Sequence, residues 1–238
     1  MTPDEERLLR LMRQLGSNPA YASGAERFPE AVGPEDGAKI AADLQVAVDH
    51  GVELREARAA AQGAPVACRP GCTSCCEQLV GVWAPEVELV VAWLADPAHT
   101  AERAAFLRAY PRWLEQSRAS IAEVAERTAA GDEAGQARAL AAHWRRRVLC
   151  AFNEQGLCSI YPVRPIVCRT CHALGTSDDC LPDDETISRA AVMHFVPLER
   201  LLEKSRALSR AAHLALGGRE LPLVLCEAVA ARLGSPAP

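Results

Sequence analysis

The residues with the most distinctive chemistry lie in Cys68-Arg69-Pro70-Gly71-Cys72-Thr73-Ser74-Cys75-Cys76, where four thiols fall within nine residues. A second group follows at Cys150, Cys158, Cys168 and Cys171. Cys72-x-x-Cys75 and Cys168-x-x-Cys171 share a spacing that lets two thiolates meet one metal from a tight turn, where backbone N–H groups also donate to sulfur. Gly71 suits such a turn, because its backbone is unrestricted. The two groups supply eight sulfurs, whereas a tetrahedral zinc ion or an iron–sulfur cluster commonly takes four. Cys75 and Cys76 are neighbours whose side chains diverge, so one of them serves a second metal, bridges two, or stays a free thiol. The expectation is a shared site in which the two groups close on each other, with one or two metals left open.

Charge supports an anionic site. Four thiolates on Zn²⁺ leave two negative charges, which are costly away from water unless compensated. Arg69, Arg164 and Arg169 each sit beside a cysteine segment, and Arg145-Arg146-Arg147 lie just before Cys150. A guanidinium donates to sulfur and spreads positive charge; three arginines in a last helical turn also complement the helix dipole. His172 is an alternative ligand. Cys180 follows Asp178 and Asp179, which disfavour its thiolate unless metal is bound. Cys226 lies on the apolar run 221–229 and reads as a buried structural thiol. Asp49 and His50 point apart on a helix and read as a solvated pair. No G-x-S-x-G, P-loop or G-x-G-x-x-G is present.

The bulk of the chain narrows the partners. Its 238 residues can bury a substantial core. A net charge of −5 argues against nucleic acid as the main partner, because phosphate neutralisation supplies most of that affinity. No apolar run follows a basic start, and the longest apolar stretch, around Val87–Leu94, is too short to span a bilayer. A cytoplasmic chain with no membrane partner is expected. In a reducing cytosol its ten cysteines point to metal or redox chemistry and not to a disulfide framework.

The elements that must position these thiols are mainly helical, since aromatics are only 5% and alanine-rich stretches dominate. Thr2-Pro3-Asp4-Glu5 reads as a capped helix start, carrying Leu8, Leu11, Met12 and Leu15 to Gly16. Residues 17–34 read as a loop. A helix follows from about Pro34 to Gln62, with a bend expected at Gly51. Residues 77–82 suggest an extended segment. Helices follow from Ala84 to Asp96, from Thr100 to Ala130 with a break at Pro111, and across Ala137–Trp144 to the three arginines. Val148–Phe152 and Leu157–Tyr161 predict a β-hairpin around Asn153–Gly156, with Cys150 and Cys158 one on each arm. Pro162 and Pro165 predict an extended approach to Cys168. An Asp-rich loop over 174–185 precedes helices through Ile187–Met193, Pro197–Leu216 and Leu223–Leu233. The fold class is therefore mainly α, a helical single domain with a cysteine-rich metal-binding centre and a short β-hairpin. It divides into an N-terminal helical segment (1–62), a cysteine-cluster region with a helical insertion (63–180) and C-terminal helices packing on the core (181–238).

Cys68-x-x-x-Cys72-x-x-Cys75-Cys76, together with Gly156-Leu157-Cys158-Ser159-Ile160-Tyr161-Pro162-Val163-Arg164-Pro165-Ile166-Val167-Cys168-Arg169, resembles the YkgJ-like cysteine-cluster proteins, labelled CxxCxxCC and described as zinc- or iron-chelating. The resemblance covers residues 68–171. It implies metal binding by Cys68, Cys72, Cys75, Cys76, Cys150, Cys158 and Cys168, with zinc or an iron–sulfur cluster as cofactor. It implies no reaction, but one branch with a similar cluster, the flagellin lysine methylases, is enzymatic. An S-adenosylmethionine-linked iron–sulfur enzyme acting on protein or peptide is thus the first alternative. A zinc-stabilised domain contacting a protein partner is the second. The spacing of the first three cysteines is also similar to that of radical S-adenosylmethionine enzymes, but Ser74 stands where those carry an aromatic residue, and the alternating strands of their barrel are lacking.

Overall fold

A computed structural model describes residue 6, residues 33–174, residue 180, and residues 196–219 and 221–234. The helix expected over 2–16, most of the 17–34 loop, most of the Asp-rich loop and the helix through Ile187–Met193 lie outside the described residues. Among the described residues the chain forms seven α-helices and two small antiparallel sheets, bearing out the mainly helical reading.

The first helix, α1, spans Pro34–Ala61. Pro34 fits its first turn, and the Asp36 carboxylate accepts from the Gly33 N–H at 3.0 Å. Ile40, Leu44, Val48 and Val52 are its buried stripe. The helix runs through Gly51 without interruption, because a single glycine costs only about 1 kcal/mol and packing on both sides exceeds that. Helix α2 spans Ala84–Ala95, and Glu86 caps it by accepting from the Trp83 N–H at 3.2 Å. Helix α3 spans Thr100–Ala129 and is likewise unbroken at Pro111. Phe106, Tyr110, Trp113 and Leu114 are buried around that proline and hold the helix despite the lost hydrogen bond. Helix α4, Glu133–Arg145, packs on α3 and starts at Asp132, which caps Gly135 N–H at 2.8 Å.

The hairpin is shorter than its sequence pattern suggests. Strand β2 is Asn153–Glu154 and β3 is Leu157–Cys158, with Asn153 opposite Cys158. Gln155 (φ 52°) and Gly156 (φ 85°) form a two-residue turn of the kind whose twist matches antiparallel strands. Cys150 therefore lies ahead of the arm and not on it. Tyr161–Val163 is a 3₁₀ turn, since Pro162 cannot extend a ladder. The segment after Pro165 is also not extended: Ile166–Thr170 is a short helix, α5, with Pro165 as its N-cap. Ser74–Glu77 forms a 3₁₀ turn before β1, Gly81–Val82.

Helix α6 spans Val196–Ala215 and packs on α1, closing a core of Leu44, Val48, Leu201 and Ala212. Strand β4, Leu223–Val224, pairs with β1, and the last helix, α7, spans Leu225–Arg232. A second core joins α2, α3, α7 and the hairpin flanks, with Phe106 and Phe152 stacked at 4.2 Å between ring centroids. The cysteine segments bridge the two cores. Cys150, Cys158 and Cys226 belong to the second, while Ile166, two residues before Cys168, packs on the first. Among the described residues, no helix is long and apolar enough to cross a membrane.

Candidate metal centre

Local folding accounts for how the distant thiols meet. Positive φ at Gly71 (88°) turns the chain between Cys68 and Cys72, and the hairpin tip rests on that turn, so that a Cβ on Gly156 would sit in van der Waals contact with Gly71 Cα at 3.6 Å. The Cys150 N–H donates to the Cys76 carbonyl at 2.7 Å, pinning the two cysteine stretches together. Val66 bridges Leu174, and the Ala67 N–H donates to the Ala173 carbonyl at 2.9 Å. This bridge lays Cys68 beside the segment that follows Cys171, and the Ala173 N–H reaches the Cys68 sulfur at 3.4 Å. The pairing of β1 with β4, continued by Leu225 N–H to the Val80 carbonyl at 3.0 Å, delivers α7 to the same place.

The thiols fall into two adjoining groups. Cys168 is an electrostatic neighbour of Cys150, Cys158 and Cys76. Cys171 is a neighbour of Cys68 and Cys72. Cys75 stands between the groups, against Cys76, Cys171 and Cys168. The Cys168-x-x-Cys171 pair is thus divided between them, because the chain leaves the helix at Cys171 (ψ 82°). All eight predicted cysteines belong to this assembly, and among the described residues no disulfide joins them. Cys226 was not expected there. It is buried as its apolar run suggested, but its Sγ lies 3.7 Å from Cys150 Sγ. Its neighbourhood comes from the β1–β4 pairing, for which the sequence carries no local signal. Cys180 is half-buried, at the border of the described residues.

Burial sets most of the thiol chemistry. Desolvation pushes the Cys168 and Cys171 thiols up and takes Cys158 to about 12. Cys150 rises through its hydrogen bond with Cys226 and through desolvation. Cys76 goes the other way. The Cys75 thiol donates to it, so Cys75 holds its proton firmly while Cys76 is drawn below its ordinary value, helped by Asn153 and by the Arg164 charge. Cys76 therefore favours the thiolate, whereas Cys75, Cys150, Cys158, Cys168 and Cys171 hold their protons until a cation displaces them.

Arg164 lies near sulfur as expected, whereas Arg169, Arg146 and Arg147 take oxygen partners. Arg169 is buried and its donors are consumed by oxygen: Asp49 Oδ2 at 2.5 Å, Gln45 Oε1 at 2.9 Å, the Arg164 carbonyl at 2.8 Å and the Pro162 carbonyl. It staples α5 to α1. Asp49 is an ion-pair partner of Arg169 while its side chain stays 46% exposed to solvent. Arg147 pairs with buried Glu77 beside Cys76, and Arg146 donates to Ser120 Oγ at 3.0 Å. Arg164 lies over the Tyr161 ring at 4.0 Å while its charge reaches Cys76 and Cys158. Arg55, which the sequence did not single out, is buried near Cys171 and Cys68 and donates to the Thr170 carbonyl at 3.3 Å. His172 is engaged with Glu56 Oε1 at 2.5 Å and Arg55 at 3.3 Å through Nδ1. Buried Glu86 was also missed. Besides capping α2, it accepts from the Ile166 N–H at 2.8 Å and so seats α5.

The donor chemistry fits a thiophilic metal: half-buried sulfurs from separated segments, with the exposed Cys171 at the edge, compensated by Arg55 and Arg164. Two thiolates on one tetrahedral ion with Zn–S of about 2.3 Å sit about 3.8 Å apart, close to the 3.7 Å between Cys150 and Cys226. The side chains are not arranged as a ligand set, however. Among the described residues, no three His, Cys, Asp or Glu side chains are grouped so that they could hold a metal ion. The chain matches no family model, no curated protein and no solved structure.

Proposed function

We propose that the chain is a metal-binding protein that holds zinc or an iron–sulfur cluster through its clustered thiols. The observation that carries this reading is the gathering of Cys68, Cys72, Cys75, Cys76, Cys150, Cys158, Cys168 and Cys171 into one unbridged assembly from segments far apart in the chain. A structural core has no need of so many thiols, and the Arg55 and Arg164 guanidiniums near them provide for the charge that ligation would create. Cys76, Cys150, Cys158 and Cys168 form one candidate donor group, with Cys226 adjoining it. Cys68, Cys72 and Cys171 form the other, with Cys75 between them. Ligation requires rotation of these side chains and loss of their protons, so affinity rises with pH.

Purification without oxygen, followed by metal analysis and an absorption spectrum, tests the reading. Brown protein with broad visible absorption identifies an iron–sulfur cluster, and colourless protein with stoichiometric zinc identifies zinc. Cys168→Ser and Cys72→Ser are expected to lower the bound metal, and Cys226→Ser to lower it as well, given its contact with Cys150. Wild-type protein that carries neither metal under these conditions refutes the proposal.

A further inference from the structure

A cavity of about 620 Å³ opens between α3, the end of α4 and the hairpin. Its walls carry Arg108, Arg112, Arg146 and Arg147, and among the described residues Glu154 is the one acidic residue lining it; Cys150 also lines it. Such a concentration of guanidiniums is unexpected in a chain of net charge −5. Arg147 and Arg146 have the partners described above. Arg108 and Arg112 have no hydrogen-bond or ion-pair partner among the described residues. They stand one turn apart on the same face of α3, where like charges destabilise a helix. That cost brings no structural return from any residue described.

We propose that this cavity binds a small ligand carrying two or more phosphate or carboxylate groups. Guanidiniums present forked donors that match both anions, and two walls of them suit a ligand charged at more than one point. The volume lies within the range of small-molecule sites, and the concave shape suits a compact ligand better than an extended acidic peptide. Cys150 on the lining places the ligand against the thiol assembly. The inference rests on the arginines and the cavity, and it stands whether or not the thiols hold metal.

Calorimetric titration of the full chain with sodium pyrophosphate and with citrate tests it. The expected result is saturable binding of at least one, weakening with added salt. Arg108→Glu/Arg112→Glu should weaken it by about tenfold or more, and Arg206→Glu on exposed α6 surface should not. Binding of pyrophosphate alone identifies a phosphate ligand, and binding of citrate alone a carboxylate. If the charge-reversed protein melts below wild type, Arg108→Gln/Arg112→Gln is read in its place. No saturation by either anion, equal weakening by Arg206→Glu, or binding of polyglutamate when neither small anion binds would overturn the proposal.

Discussion

At the scale of single side chains, burial without a hydrogen-bond partner moves His143 away from its ordinary chemistry. His143 is fully buried on α4, and neither ring nitrogen has a hydrogen-bond partner in the structure. Desolvation, with Arg146 adding to it, takes its pKa to about 4. The folded value lies below the unfolded one, so the unfolded chain binds the extra proton first. The resulting stability is complete above about pH 6.5 and is lost as pH falls towards 4. The loss approaches about 1.4 kcal/mol per pH unit inside that window. His143→Leu should remove this dependence, so the gap in melting temperature between wild type and variant should change between pH 7 and pH 4.5. Parallel curves would show that His143 is not the group responsible.

At the scale of elements, α5 seats Ile166 on the first core and is tied by polar staples to α1 and α2. Arg169 joins α5 to Gln45 and Asp49 on α1, Glu86 joins it to α2, and Arg55 reaches Thr170 from below. The Asp49 side chain is 46% exposed, so the ion pair itself contributes little, but removing Arg169 leaves the buried Gln45 side-chain oxygen without its donor and takes one from the Arg164 and Pro162 carbonyls, at about 1–3 kcal/mol for each buried group left unsatisfied. Arg169→Ala is therefore expected to destabilise the chain by that order in urea denaturation. Arg169→Lys should not restore it, because one ammonium cannot reach four acceptors from a forked geometry. Full recovery with lysine would mean that charge alone is at work.

For the molecule as a whole, the cysteine segments connect two hydrophobic cores, one of α1 and α6 and one of α2, α3, α7 and the hairpin flanks. Metal bound there would tie both cores together and contribute to folding directly, where structural zinc supplies roughly 10–16 kcal/mol of apparent binding energy. Chelation of the metal-loaded protein should lower its melting temperature and raise protease sensitivity across 68–171. An unchanged melting temperature with excess chelator would show that the two cores hold without it.

Periodicity determined most of the helical architecture. The apolar stripe Ile40, Leu44, Val48, Val52 and the capping chemistry around Pro34 and Pro85 declare α1 and α2 locally, because helix hydrogen bonds join near neighbours. That the thiols carry the most distinctive chemistry of the chain was equally legible, since residue type and C-x-x-C spacing are local facts. Only the tertiary structure decided how those thiols are grouped. It divided Cys168 from Cys171, set Cys150 off the hairpin arm, brought Cys226 to Cys150 through the β1–β4 pairing, and turned Arg169 from a sulfur donor into a staple for α1. Each outcome depends on contacts between residues scores of positions apart. Their energy comes from burial and from polar groups that must find partners once water is excluded, and no local pattern in the chain encodes which partner that will be.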